Sequence, residues 1–278
     1  MENSKRLIVI LGATASGKSE LAVKLAKKFN GEIISADSRQ VYRGLDIGSG
    51  KITKREMQGI PHHLLDIASL KRIFTVSQYR KLAIAAINKI QKNNKIPILC
   101  GGTGFYIQAV ADGILIPEVK PDWKLRKKLE KKSVKELYRM LQKLDKKRAG
   151  NIDKNNPRRL IRAIEIVIKT KKPIPVLKKN PLPYSVLMIG IKLSKNESQR
   201  RIKKRVDKMI KLGLEKESKK FPLPVIGYQE WSLPNPKDSI IQHTIQYARR
   251  QMTWFKRDKR IKWVKNYQQA EKLVKKFL

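Results

Sequence analysis

The run Gly12-Ala13-Thr14-Ala15-Ser16-Gly17-Lys18-Ser19 constrains this chain more than any other stretch. It is entered from the apolar residues Leu7-Ile8-Val9-Ile10-Leu11 and left through the helix-patterned segment Glu20 to Lys28. Strand, glycine-bounded loop and helix in that order make a P-loop in its proper setting. The glycines let the backbone curl so that successive N–H groups converge on one anion, and the new helix adds its positive end. Lys18 then reaches the outer phosphates, and the Ser19 hydroxyl is placed to ligate Mg2+. The expectation is an α/β protein with a P-loop NTPase-like parallel sheet flanked by helices, holding a di- or triphosphate.

Charge says what else the protein meets. The 278 residues carry 64 Lys and Arg against 23 Asp and Glu, a formal net charge of +41. A polyanion is the natural partner, with RNA or DNA ahead of an acidic membrane surface. A solvated, lysine-rich surface is the plainer explanation for the lysines, but it accounts less well for clustered arginines. One cysteine, Cys100, ends a buried-looking strand, so no disulfide framework is available and a reducing compartment fits. No apolar run approaches the roughly 18 residues of a membrane span. A cytoplasmic protein is expected, with a monomer the simplest state. Repeats of solenoid period are absent.

Along the chain, Glu32 to Ala36 reads as a second buried strand delivering Asp37-Ser38-Arg39-Gln40. In open α/β sheets the strand C-termini line the ligand crevice, so Asp37 is expected at the same mouth as the P-loop. Metal contact through water, a general base and a helix cap all remain open for it. Asp46 to Lys51 reads as a mobile loop with Lys51 a second phosphate-side lysine, and His62 and His63 as structural, since no third ligand is spaced for zinc. A helix is expected from Phe74-Thr75-Val76-Ser77 to Asn93, then a strand over Ile96 to Cys100. That strand runs into Gly101-Gly102-Thr103-Gly104, where an ATPase commonly places a carboxylate for magnesium. A glycine-lined crevice instead suits a bulky ligand close to the backbone.

From Glu118 to Asn180 there are 22 Lys/Arg against 7 Asp/Glu, with helical periodicity over Trp123 to Leu144 and Arg158 to Lys169. This is the expected smaller basic helical insertion lobe, so the division is 1–117 for the first part of the core, 118–184 for the lobe and 185–278 for the return. Asn156-Pro157-Arg158-Arg159-Leu160-Ile161-Arg162 opens a helix with Pro at its start and places Arg158 and Arg162 on one face. Arginines so spaced suit phosphodiester or base contacts. Prolines 173, 175, 181 and 183 read as a stiff, extended return to the core, leading to a strand at Val186 to Ile191 and a basic helix from Gln199 to Leu212. Arg201 and Arg205 lie one turn apart there and reach the phosphate crevice if that helix returns to the core. Ile226 to Trp231 and Arg249 to Arg257 interleave aromatic and basic residues, as surfaces that hold single-stranded RNA do.

These motifs, taken in order, resemble the tRNA dimethylallyltransferases nearly end to end. The resemblance rests on the P-loop, Asp37-Ser38, Val41 to Gly48, Pro61 to Asp66, Gly101 to Tyr106, Asn156 to Arg159, Ile226 to Tyr228 and Arg250 to Trp254. It implies transfer of a dimethylallyl group from dimethylallyl diphosphate to the exocyclic amine of the adenosine just 3′ of the anticodon, position 37 of tRNA. It further implies that Gly12 to Ser19, and Thr14 to Ser19 above all, cradle the diphosphate, with Lys18 among the catalytic groups. Asp37 is then the general base and Arg205 the arginine at the departing diphosphate. Thr103 and Arg126 become tRNA contacts, as do Asp37 to Gln40, Arg158, Arg159, Leu160, Ile161, Arg162, Gly227, Tyr228, Arg249, Arg250, Gln251 and Trp254. The chain departs from the family pattern at Ile245, where Arg is usual, at Gln199, where an aromatic is common, and in a shortened segment from Gly213 to Ile226. Two other readings stay in view: a small-molecule or nucleotide kinase with ATP on Lys18, and a non-catalytic RNA-binding protein with a relic P-loop.

Overall fold

A computed structural model describes residues 5–114, 119–175, 180–221 and 223–278. In chain order its elements are β1 (Arg6–Leu11), α1 (Lys18–Lys28), β2 (Gly31–Ser35), α2 (Lys54–Met57), β3 (His62–His63), α3 (Val76–Lys92), β4 (Ile96–Gly101), α4 (Gly104–Ala111), α5 (Trp123–Glu130), α6 (Val134–Leu144), α7 (Lys146–Gly150), α8 (Pro157–Thr170), β5 (Ser185–Ile191), α9 (Lys195–Lys211), α10 (Leu214–Lys220), α11 (Pro236–Phe255), β6 (Lys262–Val264) and α12 (Tyr267–Phe277). By compactness they fall into two units, Met1–Gly113 with Pro181–Leu278, and Ile114–Asn180. The 117/118 boundary expected from sequence falls outside the described residues, as does the 176–179 stretch of the proline-rich return. Pro181 and Pro183 belong to the first unit.

In the first unit, β1 buries every residue from Leu7 to Leu11 and β2 buries all five of its own. Unbroken burial, without alternation, is what a strand covered on both faces requires. All pairings are parallel, in the order β3-β2-β4-β1-β5-β6, with Ile10 opposite both Cys100 and Ile189. One core layer packs Tyr79, Ile87 and Ile90 of α3 with Tyr106 and Val110 of α4, and the other packs Leu21 and Leu25 of α1 with Ala270 and Val274 of α12. A third cluster joins Ile202 and Val206 of α9 to Leu214 of α10 and Ile240 and Ala248 of α11. The short strands β3 and β6 were not expected: two and three residues are too few to leave a periodic signal.

The second unit is helical, with Leu129, Leu137, Leu141, Leu160 and Ile164 at its centre. Its helical stretch from Trp123 to Leu144 is broken in two, because Ser133 and Glu136 form a capping box that starts α6 afresh. No helix among the described residues is long and apolar enough to cross a membrane.

Candidate active site

Three adjacent strands, β2, β4 and β1, deliver their C-terminal loops to one edge of the sheet. β1 gives the P-loop, in which Ala15 and Gly17 adopt left-handed backbone at φ 60° and 90°. β4 gives Gly101 to Thr103, and β2 gives Asp37. The loops are laced to one another. The Thr103 N–H donates to the Ala36 carbonyl at 3.1 Å, and the Ser38 N–H donates to Thr103 Oγ1 at 3.0 Å. Behind them the Tyr79 hydroxyl donates to the Ser35 carbonyl at 2.9 Å while its ring stacks on Tyr106 at 3.9 Å. Asp37 Oδ1 accepts from the N–H groups of Arg39 at 2.9 Å and Gln40 at 3.4 Å. One carboxylate oxygen thus shapes the turn, and Oδ2 lies outside those bonds.

The P-loop borders a cleft of about 1010 Å³ whose walls include Ser16, Lys18, Ser19, Arg201, Arg205 and Lys208. Arg201 donates to the Ser16 carbonyl at 3.2 Å and Arg205 to the Ser49 carbonyl at 3.2 Å, so α9 brings both arginines to the cleft beside the P-loop. Lys18 Nζ donates to the Ala13 carbonyl at 3.3 Å. The Ser16 hydroxyl is buried and has no hydrogen-bond partner among the described residues. Burial lowers the Lys18 pKa; the nearby Cys100 and Asp37 oppose this, and Arg205 adds to it. Burial likewise lowers that of Arg205, against Asp37 and Glu56. Cys100 is pushed up to about 12 by its burial, which makes it an inert core thiol. Such a site concentrates positive charge in a low-dielectric cleft, where a phosphate group restores the electrostatic balance.

Several predicted contacts have other duties. Gln251 is only 7% exposed; its Oε1 accepts from the Thr14 N–H at 2.8 Å and its Nε2 donates to the Gly102 carbonyl at 2.8 Å. It ties the P-loop to the β4 loop. Tyr228 is buried, its hydroxyl donating to Glu217 at 2.6 Å. Gly227, at φ 95°, donates its N–H to the buried Glu230 at 2.7 Å. Gln40 is partly spent on the Gly50 carbonyl at 3.3 Å. Lys51 is not on the phosphate side: it pairs with Asp46 at 2.6 Å and with Asp66, and donates to the Tyr42 carbonyl at 3.0 Å, anchoring the loop read as mobile. His63 pairs with Glu32 at 2.7 Å and His62 accompanies the Ile60 carbonyl, in keeping with structural roles. Arg39, Arg249 and Arg250 are exposed, and Trp254, 38% exposed, meets Phe105 edge-on. Ile245 packs with the apolar cluster under α11.

In the helical unit Leu160 and Ile161 are core residues, so their side chains are closed to a ligand. Arg126 makes two bonds to the fully buried Glu165, at 2.9 and 2.8 Å, and Arg162 pairs with the same carboxylate. Arg158 and Arg159 are exposed, with Arg159 3.9 Å from Asp153. Trp123, 55% exposed, carries the Arg126 guanidinium 5.1 Å from its ring centre.

Sequence reasoning passed over Tyr247, whose pKa is raised by burial and by Asp37, against Arg39, Arg250 and Arg205. Its signal was available, since it lies one helical turn before Gln251. Glu165 and Glu217 were passed over as well, because most of their donors lie far away in the chain.

The sequence model of the family described as IPP transferase matches residues 40–258. A tRNA dimethylallyltransferase of Acetivibrio thermocellus is 38% identical, over 97% of this chain and 95% of the relative, and one of Staphylococcus epidermidis is 41% identical over 93% and 86%. Among solved structures, the full-length tRNA isopentenylpyrophosphate transferase of Bacillus halodurans superposes with a TM-score of 0.70 at 36% identity, covering 98% of this chain and 94% of that one. A eukaryotic dimethylallyltransferase acting on tRNA gives 0.73 at 30% identity, over 90% and 70%.

Proposed function

Because the chain belongs to the IPP transferase family, we propose that it transfers a dimethylallyl group from dimethylallyl diphosphate to the exocyclic amine of the adenosine 3′ of the anticodon in tRNA. The kinase reading is not favoured, since the relatives carry the transferase name along their whole length. The observation that carries the proposal is the meeting of the P-loop, the Gly101 to Thr103 turn and Asp37 at the ends of three neighbouring strands.

In this reading the P-loop N–H groups and Lys18 hold the diphosphate, with Arg201 and Arg205 closing over it. The buried Ser16 hydroxyl supplies one more group for an oxygen of the ligand. The target adenosine leaves its stack to reach the cleft. Its amine nitrogen attacks the allylic carbon, the carbon–oxygen bond to diphosphate breaks, and the leaving pair of electrons goes to an oxygen facing Lys18 and Arg205. Asp37 takes the amine proton; an exocyclic amine is a poor nucleophile, so a placed carboxylate matters. Among the described residues no three His, Cys, Asp or Glu side chains gather as a metal site. Magnesium would be held on the protein side by the Ser19 hydroxyl, and would supply charge neutralisation at the diphosphate. The exposed Arg158, Arg159, Arg249 and Arg250 serve the RNA backbone, and Trp254 offers a stacking face. A cytoplasmic monomer meets these requirements.

The test is to incubate the protein and magnesium with unmodified tRNA whose anticodon is followed by adenosine, adding dimethylallyl diphosphate or ATP, and to weigh the digested nucleosides. Dimethylallyl-adenosine only with the prenyl donor is expected. Asp37→Asn should cut its formation by the roughly 10²- to 10⁴-fold typical of a lost general base while tRNA binding persists. ADP without a prenylated nucleoside would overturn the proposal.

A further inference from the structure

Glu217, on α10, accepts hydrogen bonds from three consecutive backbone N–H groups: Asp46 at 3.1 Å and Ile47 at 2.9 Å to Oε2, and Gly48 at 2.7 Å to Oε1. Oε1 also accepts the Tyr228 hydroxyl at 2.6 Å. Four donors converge on one side chain, matching the acceptor capacity of a carboxylate. The loop so held ends against both groups assigned to the chemistry. Its Ser49 carbonyl accepts from Arg205 at 3.2 Å. Gly50 lies so close to Arg205 that a β-carbon there would stand 1.8 Å from Nη2, so the loop and the guanidinium fix each other's place. The Gly50 carbonyl accepts from Gln40 Nε2 at 3.3 Å, and the Gln40 N–H donates to Asp37 Oδ1 at 3.4 Å.

We infer that Glu217 is a positioning residue for the transfer, setting the Arg205 guanidinium and the Asp37 turn through the loop from Asp46 to Gly50. The inference rests on the transfer reading above. It accounts for an acid within the lysine-rich helix Leu214–Lys220 whose carboxylate faces inward to loop donors, whereas Glu215, one turn before Lys219, pairs with that lysine 2.8 Å away. A glutamine of the same shape does not replace it. Its amide turns an N–H₂ toward two of the four donors, so half of the acceptors are lost and donors face donors.

The discriminating variant is Glu217→Gln, with Gly48→Ala as the second. A β-carbon on Gly48 would meet Tyr228 Cε1 at 2.4 Å and displace the same loop while Glu217 itself keeps its carboxylate. Three quantities are read: the single-turnover rate with both substrates saturating, the tRNA Kd, and amide hydrogen exchange at residues 46 to 48. The expected result for Glu217→Gln is a rate lowered on the order of tenfold to a hundredfold, the cost of misplacing a reacting group. The tRNA Kd should stay within about twofold, and the three amides should exchange faster. Should Glu217→Gln fail to fold, Gly48→Ala is expected to show the same split. A rate within about twofold of the parent in whichever variant folds overturns the inference, and so does a tRNA Kd that weakens in step with the rate. A parent protein that transfers nothing would overturn the proposed function instead, and unchanged amide exchange would then still remove Glu217 from the loop.

Discussion

Two helices carry arginines at the same spacing and put them to opposite use. On α9, Arg201 and Arg205 turn toward the P-loop cleft and rest on the backbone carbonyls of Ser16 and Ser49. On α8, Arg158 is open to solvent while Arg162 folds onto Glu165, which Arg126 also grips. A four-residue interval sets the face of a helix but not the fate of the charge. That fate depends on what lies opposite. Carbonyls offer partial charge and leave Arg205 able to receive an anion, though Arg201 shares itself with Glu197 at 2.5 Å. A buried carboxylate neutralises its arginines and turns them into supports of the fold.

The comparison can be broken hardest at Glu165. Its pKa is governed by burial, which raises it, against the hydrogen bonds of Arg126, the Asp122 N–H and Arg162, which together win and lower it. Glu165→Ala leaves two inward-held guanidinium groups without their partner, and removing one member of a buried ion pair typically costs about 3–5 kcal/mol. The expected outcome is loss of hydrogen-exchange protection in α5 and α8, with affinity for inorganic diphosphate unaltered. Unchanged protection in those helices would mean that Arg126 and Arg162 are not structural, and the contrast with α9 would fall.

How much of this was legible beforehand follows from the range of each interaction. The P-loop, Asp37 after β2 and the glycines after β4 declare themselves through neighbours in sequence, and parallel strand order then brings them together. The helix starts at Thr75 and Asn156 are equally local, each side chain capping an N–H three residues on. Gln251 could not be read in this way, because its partners Thr14 and Gly102 are 237 and 149 residues distant. Placed within a basic and aromatic run, it looked like an RNA contact. Leu160 and Ile161 show the same limit: a motif marks a helix, but only the packing of α6 against α8 decides which of its residues face inward. Glu217 acts on donors 11 to 171 residues away, and Glu165, beyond its i,i+3 neighbour Arg162, on donors 39 to 43 residues away that no local pattern announces.

The cleft side of the comparison is sharpened by pH. Lys18 has its pKa lowered chiefly by burial, and a bound phosphate, being an anion, raises it again. The charged form is the one that binds. Affinity for inorganic diphosphate is therefore full below the pKa of the free protein and falls as pH rises through it, by about tenfold per unit at most for one proton. The alkaline limb should begin below the ordinary lysine value of 10.5. Lys18→Arg should move that limb upward, since a guanidinium keeps its charge. A limb at or above 10.5 in the parent would mean that Lys18 is better solvated than the cleft implies, and that the cleft binds anions by surface attraction, like the lobe.

The smallest effect separates the two arginines of α8 themselves. If Arg158 meets the RNA backbone, Arg158→Ala weakens tRNA binding several-fold and lowers the slope of log Kd against log salt by about one ion's worth, because one fewer counterion is released. Arg162 already has its counter-charge in Glu165, so forming the complex displaces nothing from it. Arg162→Ala should cost the lobe stability and leave the salt slope where it was. Fluorescence anisotropy with labelled tRNA across a salt series reads both. An equal drop in slope for the two variants would show that Arg162 leaves Glu165 when RNA arrives. The carboxylate would then be a store for that arginine in the free protein, and the difference between α8 and α9 would be one of state.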